Sequence, residues 1–205
     1  MASVALTLYD FPTSNNALKV RFLLAELALD YERVEVPLAR PRPNWYVKVN
    51  PAGGIPTLVD DDLVLPESNA ILRYLAAREG REDLYPPELS ARARVDRLLD
   101  TWSTLVRPAI FPLERACGLF GERDDTAVAP AVEGATAVLD VVEKIVADNG
   151  TMAGAFSIAD ICAAPTLFRS ARLELPIEWA PLPRLAAIRD TVTQHQAFLA
   201  AGPVR

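Results

Sequence analysis

Beyond Pro87 no stretch of this chain has the two-residue period of a strand, and every segment there repeats with the period of a helix. Strand-like segments are confined to the residues before it. Val4 to Tyr9 reads as a short apolar strand, and Val34 and Val36 alternate with Arg33 and Glu35 in a second one over Tyr31 to Val36. Between them Ala17, Val20, Leu24 and Leu27 mark the buried stripe of a helix that opens near Ser14 to Asn16. A right-handed crossover makes that βαβ unit parallel. After a Pro-, Arg- and Gly-rich stretch that admits only a short helix around Asn44 to Val49, Pro56 to Val59 and Leu63 to Leu65 read as a hairpin, turned by Asp60, Asp61 and Asp62. A helix over about Glu67 to Arg78 follows.

These patterns predict an α/β thioredoxin-like N-terminal domain, β-α-β-loop-β-β-α, at residues 1–80, a linker at 81–87 and an all-α C-terminal helical domain at 88–205. In the second half Val95, Leu98, Leu99, Trp102, Leu105 and Val106 define a long helix that Pro108 and Pro112 are expected to kink or interrupt. Val128 to Val146 supplies its antiparallel partner. Ser157-Ile158-Ala159-Asp160 has the spacing of a capping box and is read as architecture. Shorter helical pieces fit Pro183 to Asp190 and Thr193 to Ala200.

Composition excludes several functions. With 51% hydrophobic residues, 205 residues can bury real cores. Neither a basic leader with an apolar core nor a run of about 20 apolar residues is present, so a soluble, cytoplasmic protein is expected. A net charge of -6 argues against nucleic acid as partner. The single histidine, His195, removes most histidine-based triads and multi-histidine metal sites, and is expected to be a solvated side chain. Cys117 and Cys162 form no CxxC pair or metal cluster, and are read as core fillers in a reducing compartment.

Three features point to one ligand. The turn from Phe11 to Asn16 places hydroxyls and amides at the positive end of the first helix, which suits an anion but equally an ordinary N-cap. Gly53-Gly54-Ile55-Pro56 lets another backbone approach closely, and a cis Ile55-Pro56 bond would offer the Ile55 N–H and C=O to an extended peptide, although trans is the commoner isomer. At Pro66-Glu67-Ser68-Asn69 a carboxylate, a hydroxyl and helix-terminal N–H groups can take both ends of an amino-acid moiety, with capping the plain alternative. Together they suit a small zwitterionic peptide that carries a thiol.

Leu8 to Ser14, Asn50 to Asp61 and Glu67 to Leu75 resemble successive motifs of bacterial cytosolic glutathione transferases of the serine type (theta, beta and nu-like), and Phe156 to Ile161 is similar to that family's second-domain capping motif. The resemblance implies the thioredoxin-like fold with a helical domain, a homodimer, and detoxification chemistry in which glutathione, the co-substrate, attacks a small hydrophobic electrophile without metal. Counting five residues back from Lys19, as the serine classes do, gives Ser14 as the thiol-activating residue. Asn16 assists from the same turn. Tyr9 is the rival, and Thr13 stands behind both. The resemblance gives Ile55 and cis Pro56 the peptide's cysteinyl backbone, Glu67 and Ser68 its γ-glutamyl end, and Asp100 the role of an acid reaching across a dimer; a solvated helix face explains Asp100 equally well. At Gly54 the chain departs from many relatives, which carry lysine or glutamine there to meet the glycyl end; Lys48 or Arg42 is the candidate replacement. Phe11, Trp102, Leu105, Val106 and Ile110 would bound the electrophile pocket, or form core between the halves.

A free thiol with a pKa of ~8.5 is only about 3% ionised at pH 7, and a downward shift of ~2 units, worth about 2.7 kcal/mol, makes the thiolate the majority species. A helix N-terminus and one hydroxyl donor can supply that. Glutathione-dependent disulfide or peroxide reduction, or isomerisation, is the alternative within enzymes, and a non-catalytic ligand-binding scaffold the alternative outside them. A redox role for the protein's own cysteines is poor, since neither lies in the first half.

Overall fold

The computed structural model describes residues 6–203 and divides them into two units, 6–81 with 196–203, and 82–195. In the first, β1 (Leu6–Asp10), β2 (Tyr31–Glu35), β3 (Thr57–Asp60) and β4 (Leu63–Pro66) form one sheet in the order β2-β1-β3-β4. The β1–β2 pair is parallel, as the crossover requires, and the other two pairs are antiparallel. Val4 and Ala5, the expected start of the first strand, lie outside the described residues. The hairpin turn is tighter than the three aspartates suggest: Asp60 pairs with Leu63, leaving Asp61, at φ 52°, and Asp62 as the loop.

Helices α1 (Asn15–Glu26), α2 (Asn44–Val49) and α3 (Ser68–Arg78) complete the order β-α-β-α-β-β-α. The two faces of β1 explain their placement. Asp10 is fully buried and pairs with Arg21 of α1, whereas the half-buried ring of Tyr9 rests on Tyr46 and Trp45 of α2. Neighbouring residues of a strand point to opposite faces, so α1 and α2 cover opposite sides of the sheet. α3 packs beside α1 and is tied to β3 where Tyr74 Oη donates to Asp60 Oδ2 at 2.6 Å and Arg78 Nε pairs with the same oxygen at 3.0 Å.

α9 (Gln196–Ala200) also belongs to this first unit, a correction to the grouping of residues 88–205 in one helical domain. Phe198 is fully buried and meets Phe22 of α1 edge to face, centroids 5.3 Å apart. A five-residue helix has too short a period for its core to be assigned from sequence.

The second unit is all helical: α4 (Leu89–Thr101), α5 (Arg107–Ala116), α6 (Asp125–Glu143), α7 (Ile158–Arg172) and α8 (Pro183–Thr193). The expected interruption at Pro108 and Pro112 does not occur. A π-helical turn, Trp102–Val106, joins α4 to α5 without a break, the Arg107 N–H donating five residues back to the Trp102 carbonyl. Pro108, which has no N–H to donate, follows that turn at the start of α5. α5 packs chiefly on α6. α7 is the central helix, buried around nearly its whole circumference from Ile158 to Leu167. Its start is the expected capping box: Ser157 N–H and Oγ donate to Asp160 Oδ2 at 2.9 and 3.0 Å, and Met152 N–H donates to Oδ1 at 2.7 Å. Burial pushes the Asp160 carboxyl up to about 6, with these bonds acting the other way. His195 is not a solvated side chain as expected; it is half-buried and stacked flat on Phe156 at 4.7 Å.

Candidate functional site

The end of β1 and the start of α1 are held by charge. Asp10 Oδ2 accepts from Arg21 Nη1 at 3.1 Å and from Arg33 Nε at 2.5 Å, and Arg21 Nη2 reaches on to the Pro12 carbonyl at 3.0 Å. Burial holds the Arg21 guanidinium below the usual arginine range; Asp10 opposes the shift and Arg33 adds to it. Arg21 thus fastens strand, turn and helix together, a role that sequence reasoning missed. The available signal was a charged residue set in the apolar run Val20 to Leu24.

Ser14 stands on that fastened turn. Its N–H donates to the Phe11 carbonyl at 3.0 Å, and its Oγ accepts from Ala17 N–H at 3.3 Å as the N-cap of α1. Capping occupies an acceptor lone pair and leaves the O–H as a donor. The N-cap and thiol-activating assignments are therefore compatible. Asn16 is exposed on the first turn, whereas Asn15 beside it is buried. Tyr9 is held in aromatic packing between Trp45 and Tyr46. Phe11 is half-buried and Thr13 exposed on the same turn.

The second element is the loop before β3. The Ile55–Pro56 bond is cis. Its neighbours are tied to α2: the Gly54 carbonyl accepts from Tyr46 Oη and from Asn50 Nδ2, the latter at 3.1 Å, and Thr57 Oγ1 meets the same two groups at 2.9 and 3.0 Å. This buried Tyr46–Asn50–Thr57 cluster was invisible in the sequence, where Tyr46 and Asn50 share only a helical spacing. Gly53, at φ 63°, lies against Arg42, whose Nε donates to the Gly53 carbonyl at 3.0 Å and whose Nη1 donates to the Pro37 carbonyl at 2.6 Å. Arg42 is engaged in holding the loop, which corrects its candidacy as a replacement for the side chain missing at Gly54. Lys48 is exposed on the last turn of α2.

The third element is the start of α3. Glu67 precedes it at φ 70° and ψ 108°, a conformation unusual for a residue with a Cβ, and its side chain makes no capping hydrogen bond. Ser68 is buried at the first helical position. The carboxylate is thus exposed beside the N–H groups of the helix start.

The expected residues of the second unit divide differently. Trp102 and Val106 are fully buried core residues there, with Trp102 Nε1 donating to Thr166 Oγ1 at 3.4 Å. Ile110 lies with them around a small apolar space, while Leu105 and Asp100 are exposed. Cys117 is half-buried at the end of α5, where Arg123 Nη1 approaches its Sγ at 3.7 Å, and Cys162 is buried in α7. Among the described residues no group of three or more His, Cys, Asp or Glu side chains is placed to hold a metal ion.

Comparison with known proteins agrees with this geometry. Residues 8–83 match the family model for the glutathione S-transferase N-terminal domain, and residues 125–190 match that for the C-terminal domain. The chain is 37% identical over 205 residues to glutathione S-transferase 3 of Zea mays, covering 94% of this chain and 91% of the relative. It is 30% identical to glutathione S-transferase GstB of Escherichia coli K12, covering 94% and 95%. The theta class glutathione S-transferase from Xanthomonas axonopodis pv. citri with glutathione bound superposes with a TM-score of 0.85 at 30% identity, covering 98% of each chain. With its thioredoxin-like first unit, its helical second unit and these relatives, the chain belongs to the glutathione S-transferase family and is a transferase that uses glutathione.

Proposed function

We propose that Ser14 activates the glutathione thiol for attack on a hydrophobic electrophile. The observation that carries this is the N-cap geometry: Ser14 Oγ accepts from Ala17 N–H, so its O–H remains to donate to a thiolate lying at the positive end of α1. The thiolate adds to the electrophile, its displaced group leaves with the bonding pair, and the thiol proton passes to solvent. Asn16, exposed on the same turn, assists as a second donor.

Around that centre, Ile55 pairs with the cysteinyl backbone, and Ser68 with the first N–H groups of α3 receives the γ-glutamyl carboxylate while Glu67 takes its ammonium. The glycyl carboxylate falls to Arg40 rather than Arg42. Arg40 Nη1 lies 3.5 Å from where a Cβ on Gly53 would stand, and it makes no ion pair among the described residues. Asp100 reaches a partner copy's glutathione in a homodimer, for which the exposed apolar edge of β4, Leu63 and Val64, provides contact surface. No described helix is long and apolar enough to cross a membrane, which accords with a cytoplasmic enzyme.

The test follows thiolate absorbance of bound glutathione against pH. The wild type is expected to bind and to depress the thiol pKa by ~2 units. Ser14→Ala should lose that shift while Tyr9→Phe keeps it. Ser14→Asp separates capping from activation, because the carboxylate still caps α1 but opposes a thiolate. Loss with Tyr9→Phe alone would move the role to tyrosine, and binding without any shift would leave a scaffold.

A further inference from the structure

Two polar side chains at the start of α1 are buried without a partner. Asn15, the first residue of the helix, is 7% exposed, and its Nδ2 has no hydrogen-bond partner among the described residues. Lys19, one turn on, is 2% exposed, and its side chain makes no ion pair or hydrogen bond among the described residues. The other charged side chains of α1 are paired: Arg21 with Asp10 at 3.1 Å and Glu26 with Arg81 at 3.2 Å. Lys19 is therefore the one unpaired charge of the helix among the described residues, and a buried cation without an anion is costly.

Helix geometry sets where its ammonium is directed. Side chains of an α-helix lean toward the N-terminus, so each residue covers the turn before its own Cα. Asn15 and Asn16, four and three positions back, are the neighbours of Lys19 on that surface. Ser14, the N-cap, is five positions back, about 7.5 Å along the axis. The flexible four-carbon stem of a lysine covers most of that distance. Cation, amide and hydroxyl thus converge on the end of α1 where the helix dipole is already positive, a combination that favours an anion.

We propose that Lys19 supplies the positive charge that holds the glutathione sulfur as a thiolate at the start of α1, with Ser14 as its hydrogen-bond donor; this rests on the reading of Ser14 as the thiol-activating residue. No bond to Lys19 forms or breaks. The thiol proton passes to solvent, and the ammonium acts on the sulfur through its field alone. At this range, in surroundings of intermediate polarity, one cation favours the thiolate by about tenfold.

Thiolate absorbance of bound glutathione against pH tests the proposal in Lys19→Met, which removes the charge at nearly constant length, and in Lys19→Arg, which keeps it. The thiol pKa in Lys19→Met should lie about one unit above that in the wild type, and Lys19→Arg should restore it to within about 0.3. Titration calorimetry at pH 8 gives a reading that packing alone would not move. There Lys19→Met should weaken glutathione about eightfold and leave S-methylglutathione, which has no thiolate to hold, within about twofold of the wild type. The variant should also unfold at the wild-type temperature or higher, because the charge it loses has no partner in the protein. An unmoved thiol pKa in Lys19→Met, or equal weakening of glutathione and S-methylglutathione, overturns the proposal. If Lys19→Met does not fold, Lys19→Gln carries the same expectations, and failure of both to fold makes Lys19 structural and overturns it too. The two assignments fail separately: a shift lost in Lys19→Met but kept in Ser14→Ala removes Ser14 and leaves Lys19, and the opposite pattern does the reverse. No shift in the wild type sinks both.

Discussion

Gly53 and Gly54 are adjacent and chemically identical, yet their backbones make different demands. Gly53 has φ 63°, and a Cβ there would come within 3.0 Å of Arg42 Cγ, so Gly53→Ala should cost about 1–2 kcal/mol and loosen the Arg42 bond to the loop. Gly54 has no such requirement, and the nearest atom to its Cβ would be Asn50 Nδ2 at 3.8 Å. Gly54→Gln should therefore fold as well as the wild type and, by restoring a side chain at the glycyl end, tighten glutathione about fivefold, roughly 1 kcal/mol. Thermal unfolding of both variants and calorimetry on the second check the pair; weaker binding in Gly54→Gln would mean that the glycyl end lies elsewhere. At this scale the sequence was half informative. Ser14, Ile55, Glu67 and Ser68 stand on turns that local chemistry marks, whereas Arg21, Tyr46 and Asn50 act through partners 4 to 11 positions away in other elements, which no local pattern links to them.

Among the elements, α7 joins structure to pH. Its capping residue Asp160 is pushed up to about 6 from an ordinary 3.8, so between about pH 4 and pH 6 the folded protein holds a proton that the unfolded chain has released. This group's contribution to stability is present at the acid end of that window and is lost as pH rises, by about 3 kcal/mol in all. Asp160→Asn does not titrate, and it presents an amide N–H₂ to donors that the carboxylate accepts from Met152 and Ser157. Denaturant unfolding at several pH values should find this variant the less stable, with the gap to wild type widest near pH 4.5 and narrowing towards pH 7. A gap that widens instead would mean that the carboxyl is ionised throughout. The box itself was legible as Ser157-x-x-Asp160, because capping depends on residues three apart. The continuity of α4 and α5 was not: prolines end helices by a local rule, and the π turn that absorbs Pro108 depends on the hydrogen-bond register before it.

For the molecule as a whole, the position of α9 matters most. Phe198 fills space beside Phe22 in the first unit, so Phe198→Ala should cost about 3 kcal/mol and loosen α1, read as lower stability in denaturant together with weaker protection of α1 amides from hydrogen exchange. Loss of protection confined to α8 would contradict that assignment. The order of the units along the chain has a mechanical side. The polypeptide leaves the first unit after Arg81 and re-enters it at Gln196, so the helical unit is an insertion tethered at two points to one core. A protease that nicks the chain once between α3 and α4 would not set either half free, because the crossing between α8 and α9 still joins them. Covalent separation takes two cuts.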